Sequence, residues 1–216
     1  MNEMEFLSKE ELRRKMSTSW GGKSLYLCRQ NLHELPAALF ELTELEELYL
    51  SESKLTTIPE NLGNLNNLTI LVVSTNQLSI FPTSLTQLKK LRVLNIGDNN
   101  LTSIPDAIGE MVELEILWLN DNQLTVLSPA IKQLKKLRVL NMAYNNLTSI
   151  PDAIGEMVEL KQLSLSGNQL TVLSPVIKQL KKLKYLDVRG NPFTVEGMRS
   201  VMELKDKDYF LLLDVP

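Results

Sequence analysis

LRVLNIGDNNL (Leu91–Leu101), LEILWLNDNQL (Leu114–Leu124), LRVLNMAYNNL (Leu137–Leu147) and LKQLSLSGNQL (Leu160–Leu170) succeed one another every 23 residues. They share the frame Leu-x-x-Leu-x-Leu-x-x-Asn-x-Leu. Outward from this core the frame also starts at Leu45, Leu68 and Leu183, and a degenerate copy, SLYLCRQNL, runs from Ser24 to Leu32. A fixed period of this length over most of a 216-residue chain marks a stack of like units. The Leu-x-Leu alternation has period two and suits a short strand with one buried face. Strands of successive copies then pair in parallel about 4.8 Å apart, so eight of them span roughly 34 Å.

The frame asparagines, Asn76, Asn99, Asn122, Asn145, Asn168 and Asn191, fall where the chain leaves each strand. A buried amide needs partners, which predicts that each serves the backbone of its own turn and of the next repeat. Gln30 and Ser53 replace it in the first two copies, so that end is expected to be less regular. Two further apolar rows recur beyond the strand: Ile58, Phe81, Ile104, Leu127, Ile150, Leu173 and Leu62, Leu85, Ile108, Ile131, Ile154, Ile177. A proline follows the first row at Pro36, Pro59, Pro82, Pro105 and Pro151, shifted by one at Pro129 and Pro175. Proline presets φ for a helix start. One-turn 3-10 or α segments are predicted there. The fold class is therefore α/β: a curved solenoid with a parallel sheet on the concave face and short helical or 3-10 turns on the convex face.

A solenoid must cover its ends. Residues 1–22 read as an N-terminal helical cap, with a helix over Phe6–Met16, Ser8 as its N-cap and Glu11 completing a capping box. Phe6, Leu7, Leu12, Met16 and Trp20 are expected to seal the first repeat. Repeats occupy 23–193. Residues 194–216 read as a C-terminal cap, a helix over Val195–Leu204 and the apolar run Tyr209–Leu213 covering the last repeat.

A net charge of −3 builds no field that would draw nucleic acid. One cysteine, Cys28, allows no internal disulfide, and no run approaches the roughly 18 apolar residues of a membrane span. The acidic start MNEMEFLSKEELRR lacks the apolar stretch of a secretory signal. These features predict a monomer of a cytoplasmic, reducing compartment, or one delivered into a host cell without a cleaved signal. No catalytic constellation stands out. His33 is the single histidine, and there is no Gly-rich phosphate loop, no Cys-x-x-Cys and no metal-ligand spacing. The reading is of a protein without cofactor or catalysis.

A longer period carries the functional signal. Residues 91–136 and 137–182 agree at 37 of 46 positions, the mark of a duplicated two-repeat unit. Seven of the nine differences fall at outward positions of the strand and its exit, where even scatter would place about two. Such a bias predicts a binding face in the concave sheet. Its apolar middle is expected to comprise Ile70, Val72, Val93, Ile116, Trp118 and Val139, with Tyr49 and Tyr144 beside them and Asp98 and Asp121, together with Glu47 and Glu52, on the rim. Trp118 is expected to be exposed, because its counterpart in the other cassette is Ser164. Lys89-Lys90, Lys135-Lys136 and Lys181-Lys182 alternate with Glu110/Glu113 and Glu156/Glu159, which predicts a solvated ladder of opposite charge.

The frame, followed by T-x-I-P-x-x-I/L-G-x-L, resembles the 23-residue intracellular leucine-rich repeats of Ras-suppressor-like scaffold proteins and of many bacterial proteins. The resemblance covers residues 24–193. It implies a protein partner on the concave face, in some members a small GTPase. Some bacterial versions look like effectors of pathogens such as Legionella or Leptospira, and others carry a ubiquitin-ligase domain. What it implies here is a non-catalytic binding module, plausible as a bacterial effector acting on a host protein. The alternative is a targeting or regulatory subunit for a ubiquitin ligase, a phosphatase or a small GTPase pathway.

Overall fold

The computed structural model describes residues 8–17, 23–32, 34–204 and 210–214. Ten strands form one sheet in sequence order. They are β1 (Met16–Ser17), β2 (Ser24–Tyr26), β3 (Glu47–Tyr49), β4 (Ile70–Val72), β5 (Val93–Asn95), β6 (Ile116–Trp118), β7 (Val139–Asn141), β8 (Gln162–Ser164), β9 (Tyr185–Asp187) and β10 (Phe210–Leu212). From β2 to β10 every neighbour is parallel; β1 pairs antiparallel with β2. Register advances by one repeat at each step, so Leu25, Leu48, Leu71, Leu94, Leu117, Leu140, Leu163 and Leu186 stack on one another. All eight are fully buried.

The convex side is built as the prolines require. Seven 3-10 turns, each of five residues, lie over Ala37–Glu41, Glu60–Asn64, Thr83–Gln87, Asp106–Glu110, Pro129–Gln133, Asp152–Glu156 and Pro175–Gln179. The one-residue proline shift has a structural reason. Where proline comes early it is itself the N-cap; where it comes late it is the first turn residue, and Ser128 or Ser174 caps the turn through its hydroxyl. Both apolar rows are buried, and one core runs the length of the stack.

The asparagine ladder is fully bonded and, apart from the partly buried Asn191, buried, but it points the opposite way from the expectation. Asn122 donates its amide to the carbonyls of Leu119 and Asn120 in its own turn and of Ile96 in the preceding repeat, at 3.1–3.2 Å. Its Oδ1 accepts the Leu101 N–H, also in the preceding repeat, at 2.9 Å. The same set recurs at the other five asparagines. Ser53 holds the second copy with its hydroxyl on the Leu27 and Ser51 carbonyls.

At the N-terminal end α1 (Lys9–Lys15) carries the capping box: Ser8 Oγ accepts the Glu11 N–H and the Glu11 carboxylate accepts from Ser8. The helix is shorter than predicted because Met16 turns into β1. Leu12 and Met16 are buried against the stack; Phe6, Leu7, Trp20 and His33 lie outside the described residues. At the other end α2 (Val195–Met202) is capped by Thr194. Of the apolar run expected to cover the last repeat, Phe210–Leu212 continue the sheet as β10, in register with β9; Tyr209 lies outside the described residues.

The charge ladder forms: Lys89–Glu110, Lys136–Glu113 and Lys182–Glu159 pair at 2.6–3.0 Å, all on the surface. No helix among the described residues is long and apolar enough to cross a membrane.

Candidate protein-binding face

Parallel register turns sequence columns into rows across the concave face. Ile70, Val93, Ile116 and Val139 are consecutive partners on β4 to β7, and so are Val72, Asn95, Trp118 and Asn141. The two rows put one continuous apolar strip around a single indole. Every one of these side chains is half-buried. Trp118 is thus less exposed than predicted, because Asn95 and Asn141 flank it on the adjoining strands. Tyr49 lies next to Val72 and stacks on Tyr26, ring centres 4.4 Å apart and 6° from parallel. Its hydroxyl donates to Glu47, which also accepts from Ser24. Burial, with Glu47 beside it, pushes the Tyr49 phenol well above its ordinary range, so it stays a donor.

The rim residues sit in an unusual backbone. Arg29, Glu52, Thr75, Asp98, Asp121, Tyr144, Gly167 and Gly190, one per repeat, all have φ between 52° and 66°. This is the left-handed region, which costs a side-chain-bearing residue about 1–2 kcal/mol and is least tolerable for a β-branched one such as Thr75. Gly167 and Gly190 in the same column, and the αL-tolerant Asp98 and Asp121, were a legible signal of that turn. The column projects its side chains off the strand exit: Asp98, Asp121 and Tyr144 are exposed, Tyr144 at 63%. Arg29 and Glu52 form a two-bond ion pair that holds the Glu52 carboxyl below its usual range.

Packing accounts for part of the bias between the two cassettes. A Cβ at Gly97 would stand 2.8 Å from the Asn120 Oδ1 one repeat on. In the second cassette the same two places hold Ala143 and Ser166, a larger residue facing a smaller one. Likewise Asp98 and Asp121 become Tyr144 and Gly167, and the Tyr144 ring lies where a Gly167 side chain would be: a Cβ there would meet Cδ1 at 2.5 Å. Four of the changed positions are thus compensating neighbours. Gly97, Ala143 and Ser166 are moreover buried, not outward as the sequence pattern suggested. Asn95 and Asn141 also have a local task, each accepting the N–H two residues on. Trp118/Ser164, Ile116/Gln162 and Glu115/Lys161 are the remaining outward changes.

We expect Gly167→Ala to destabilise by about 2 kcal/mol, through backbone strain and collision with the ring. In a Tyr144→Ala background the loss should drop to about 1 kcal/mol. Denaturant melts of the four-protein cycle check this; equal losses in both backgrounds would mean that the ring does not occupy the shelf.

Comparison with known families matches residues 24–147 to a leucine-rich repeat region and residues 158–196 to two copies of the leucine-rich repeat. The chain belongs to the leucine-rich repeat family. As a leucine-rich repeat protein it is similar in structure to one from Leptospira interrogans, with 32% identity and a TM-score of 0.86 over 95% of this chain and 51% of that one. It is similar also to the ectodomain of the plant membrane receptor kinase GASSHO1/SCHENGEN3 from Arabidopsis thaliana, solved in complex with CASPARIAN STRIP INTEGRITY FACTOR 2. There the identity is 34% and the TM-score 0.70, over 84% of this chain and 23% of the other. An internalin of Listeria monocytogenes, at 21% identity and a TM-score of 0.77, shares the fold over 96% of this chain and 56% of its own. The chain therefore spans about half the length of the two bacterial structures and about a quarter of the plant one. The comparison with curated proteins gives no match. Leucine-rich repeat domains generally mediate protein–protein interaction. The comparisons do not single out the Ras-suppressor-like or the Legionella type within the family.

Proposed function

We propose that this leucine-rich repeat chain is a non-catalytic module that takes a protein partner on its concave face. Trp118 and Tyr144 serve as anchors. Tyr49, Ile70, Val72, Val93, Ile116 and Val139 make the apolar floor, and Asp98 and Asp121 the polar rim. The observation that carries the reading is Trp118. A half-buried indole stands at the middle of an open sheet face, in a place where the sister cassette holds serine. Large aromatics in such a setting are the usual energetic anchors of interfaces. The plant ectodomain similar to this chain was solved with a bound partner, which supports partner binding by the architecture. The proposal extends to a bacterial effector acting on a host protein; the similar Leptospira interrogans protein supports only the occurrence of such repeats in a bacterium.

The test is quantitative binding of the captured partner by wild type, Trp118→Ala and a convex control, Lys135→Ala. Trp118→Ala should weaken binding by about 2 kcal/mol, roughly thirty-fold, with the fold retained. Lys135→Ala should bind as wild type. Equal binding by wild type and Trp118→Ala would move the functional surface off the sheet.

A further inference from the structure

The two ends of the stack are finished differently. At the N-terminal end the sheet turns antiparallel at β1, and α1 is clamped to the first repeats by Lys9–Glu41 and Arg13–Glu44 ion pairs. At the C-terminal end β10 is one more parallel strand, and its outer edge is unpaired among the described residues. Phe210 and Leu212 bond to β9 through Lys184 and Val188, which leaves the backbone of Leu211 aimed outward. Natural edge strands are usually guarded by charge, proline or a bulge. β10 itself has none of these, reading Phe-Leu-Leu with Phe210 73% exposed; the charges Lys205, Asp206, Lys207 and Asp208 precede it in the sequence. Asp214, beyond the strand, accepts the Gly190 N–H at 2.5 Å.

The convex layer is open at the same end. α2 occupies the place of a further convex turn, and its outer side bounds an apolar groove of about 740 Å³ lined by Phe193, Val195, Met198 and Met202, with Arg199 and Glu203 at its margin. Val195 is 79% exposed. Leu211, Leu213 and Phe193 are only partly buried against the core. This end thus repeats the surface that each repeat buries against its successor: a strand edge and an apolar convex row.

We propose that this end is a self-association surface, and that its occupant is a second copy of the chain related by a two-fold axis. A two-fold through β10 pairs its open edge antiparallel with that of the copy and continues the sheet across the interface. It sets the two α2 helices side by side and antiparallel, so that Glu196 of one faces Arg199 of the other. Both side chains are exposed and neither forms an ion pair among the described residues. One acid and one base three residues apart, flanking an apolar stripe, are complementary to themselves. This departs from the monomer expected from the sequence, and it is independent of the concave-face reading.

Sedimentation equilibrium of the 216-residue chain at about 100 µM checks it. Wild type should be a dimer and Arg199→Glu a monomer. The charge-swapped Glu196→Arg/Arg199→Glu protein should be a dimer again, because opposite charges face each other once more. Trp118→Ala should leave the dimer intact. Circular dichroism of each variant should match wild type, while Arg199→Glu should melt lower than wild type by the stabilisation that association supplies. A monomeric wild type, a dimer that survives Arg199→Glu, or a charge swap that fails to restore the dimer while folded would each overturn the proposal.

Discussion

Asn122→Leu should lower the stability of the whole stack by about 3 kcal/mol. Leucine has the same number of side-chain heavy atoms as asparagine and leaves no cavity, so the loss is chiefly one of hydrogen bonding. Four bonds are lost, but only the Leu101 N–H is left without a partner: the carbonyls of Ile96, Leu119 and Asn120 keep the Asn99 amide, the Asn145 amide and the Asp98 N–H. A buried N–H left unpaired costs about 1–3 kcal/mol, and the three further bonds to the amide add to that. The damage lies in two repeats at once. In a quasi-one-dimensional stack a weakened interface uncouples the segments on either side. The denaturant transition should therefore shift and also broaden, and the Leu101 amide should lose hydrogen-exchange protection before its neighbours. Asn191→Leu is the internal control. It makes the same bonds but is only partly buried, so its loss should be about 1 kcal/mol. Equal effects of the two substitutions would show that burial does not set the worth of the ladder.

Gly197→Ala should detach the C-terminal helix. A Cβ at 197 would stand 2.0 Å from the Thr171 carbonyl oxygen, and that backbone cannot swing away as a side chain can. The same oxygen accepts the N–H and hydroxyl of Thr194, the residue whose Oγ1 caps α2 through the Gly197 N–H at 3.0 Å. A single methyl group thus strikes at the contact that seats the helix. Overpacking of this kind costs about 1–3 kcal/mol, and undocking also exposes Val201 and Leu204, both buried in the folded protein. We expect a total loss of about 3 kcal/mol, with proteolytic nicking near α2 at low protease. Ser200→Ala on the same helix should stay within about 0.5 kcal/mol of wild type. Retention of wild-type stability by Gly197→Ala would mean that the close approach to Thr171 is not sustained in solution.

The fold could be read from sequence because its signal is repeated and apolar. Leucines at a fixed interval leave one arrangement that buries all of them, and the prolines place the convex turns to within a residue. The capping box at Ser8 and Glu11 was legible for a similar reason, since its chemistry is local. What escaped depends on contacts between residues 23 apart, in which both partners vary. Gly97 with Asn120, and Tyr144 with Gly167, look like free surface variation until the repeats are stacked, and then become fitted pairs. The backward reach of the asparagines could not be read either, since a frame position says that an amide is buried but not which repeat it serves. Val195–Met202 was recognisable as a helix. The strand Phe210–Leu212 was not, because three apolar residues fit a plug as well as an edge strand. Of the candidate face, the apolar strip across β4 to β7 is where the columns placed it, while the exposure of Trp118 was overstated.

The backward direction of the asparagine ladder gives synthesis of this protein an order in time. A chain leaves the ribosome N-terminus first, at about 5–20 residues per second. The turn around Leu101 stays incomplete until Asn122 has emerged, and the turn around Leu124 waits for Asn145. The folding front therefore trails the growing chain by one repeat, one to a few seconds behind at that speed. Each new asparagine completes the repeat before it while its own still waits for one bond from the next, so assembly advances as a ratchet whose latest tooth is always open.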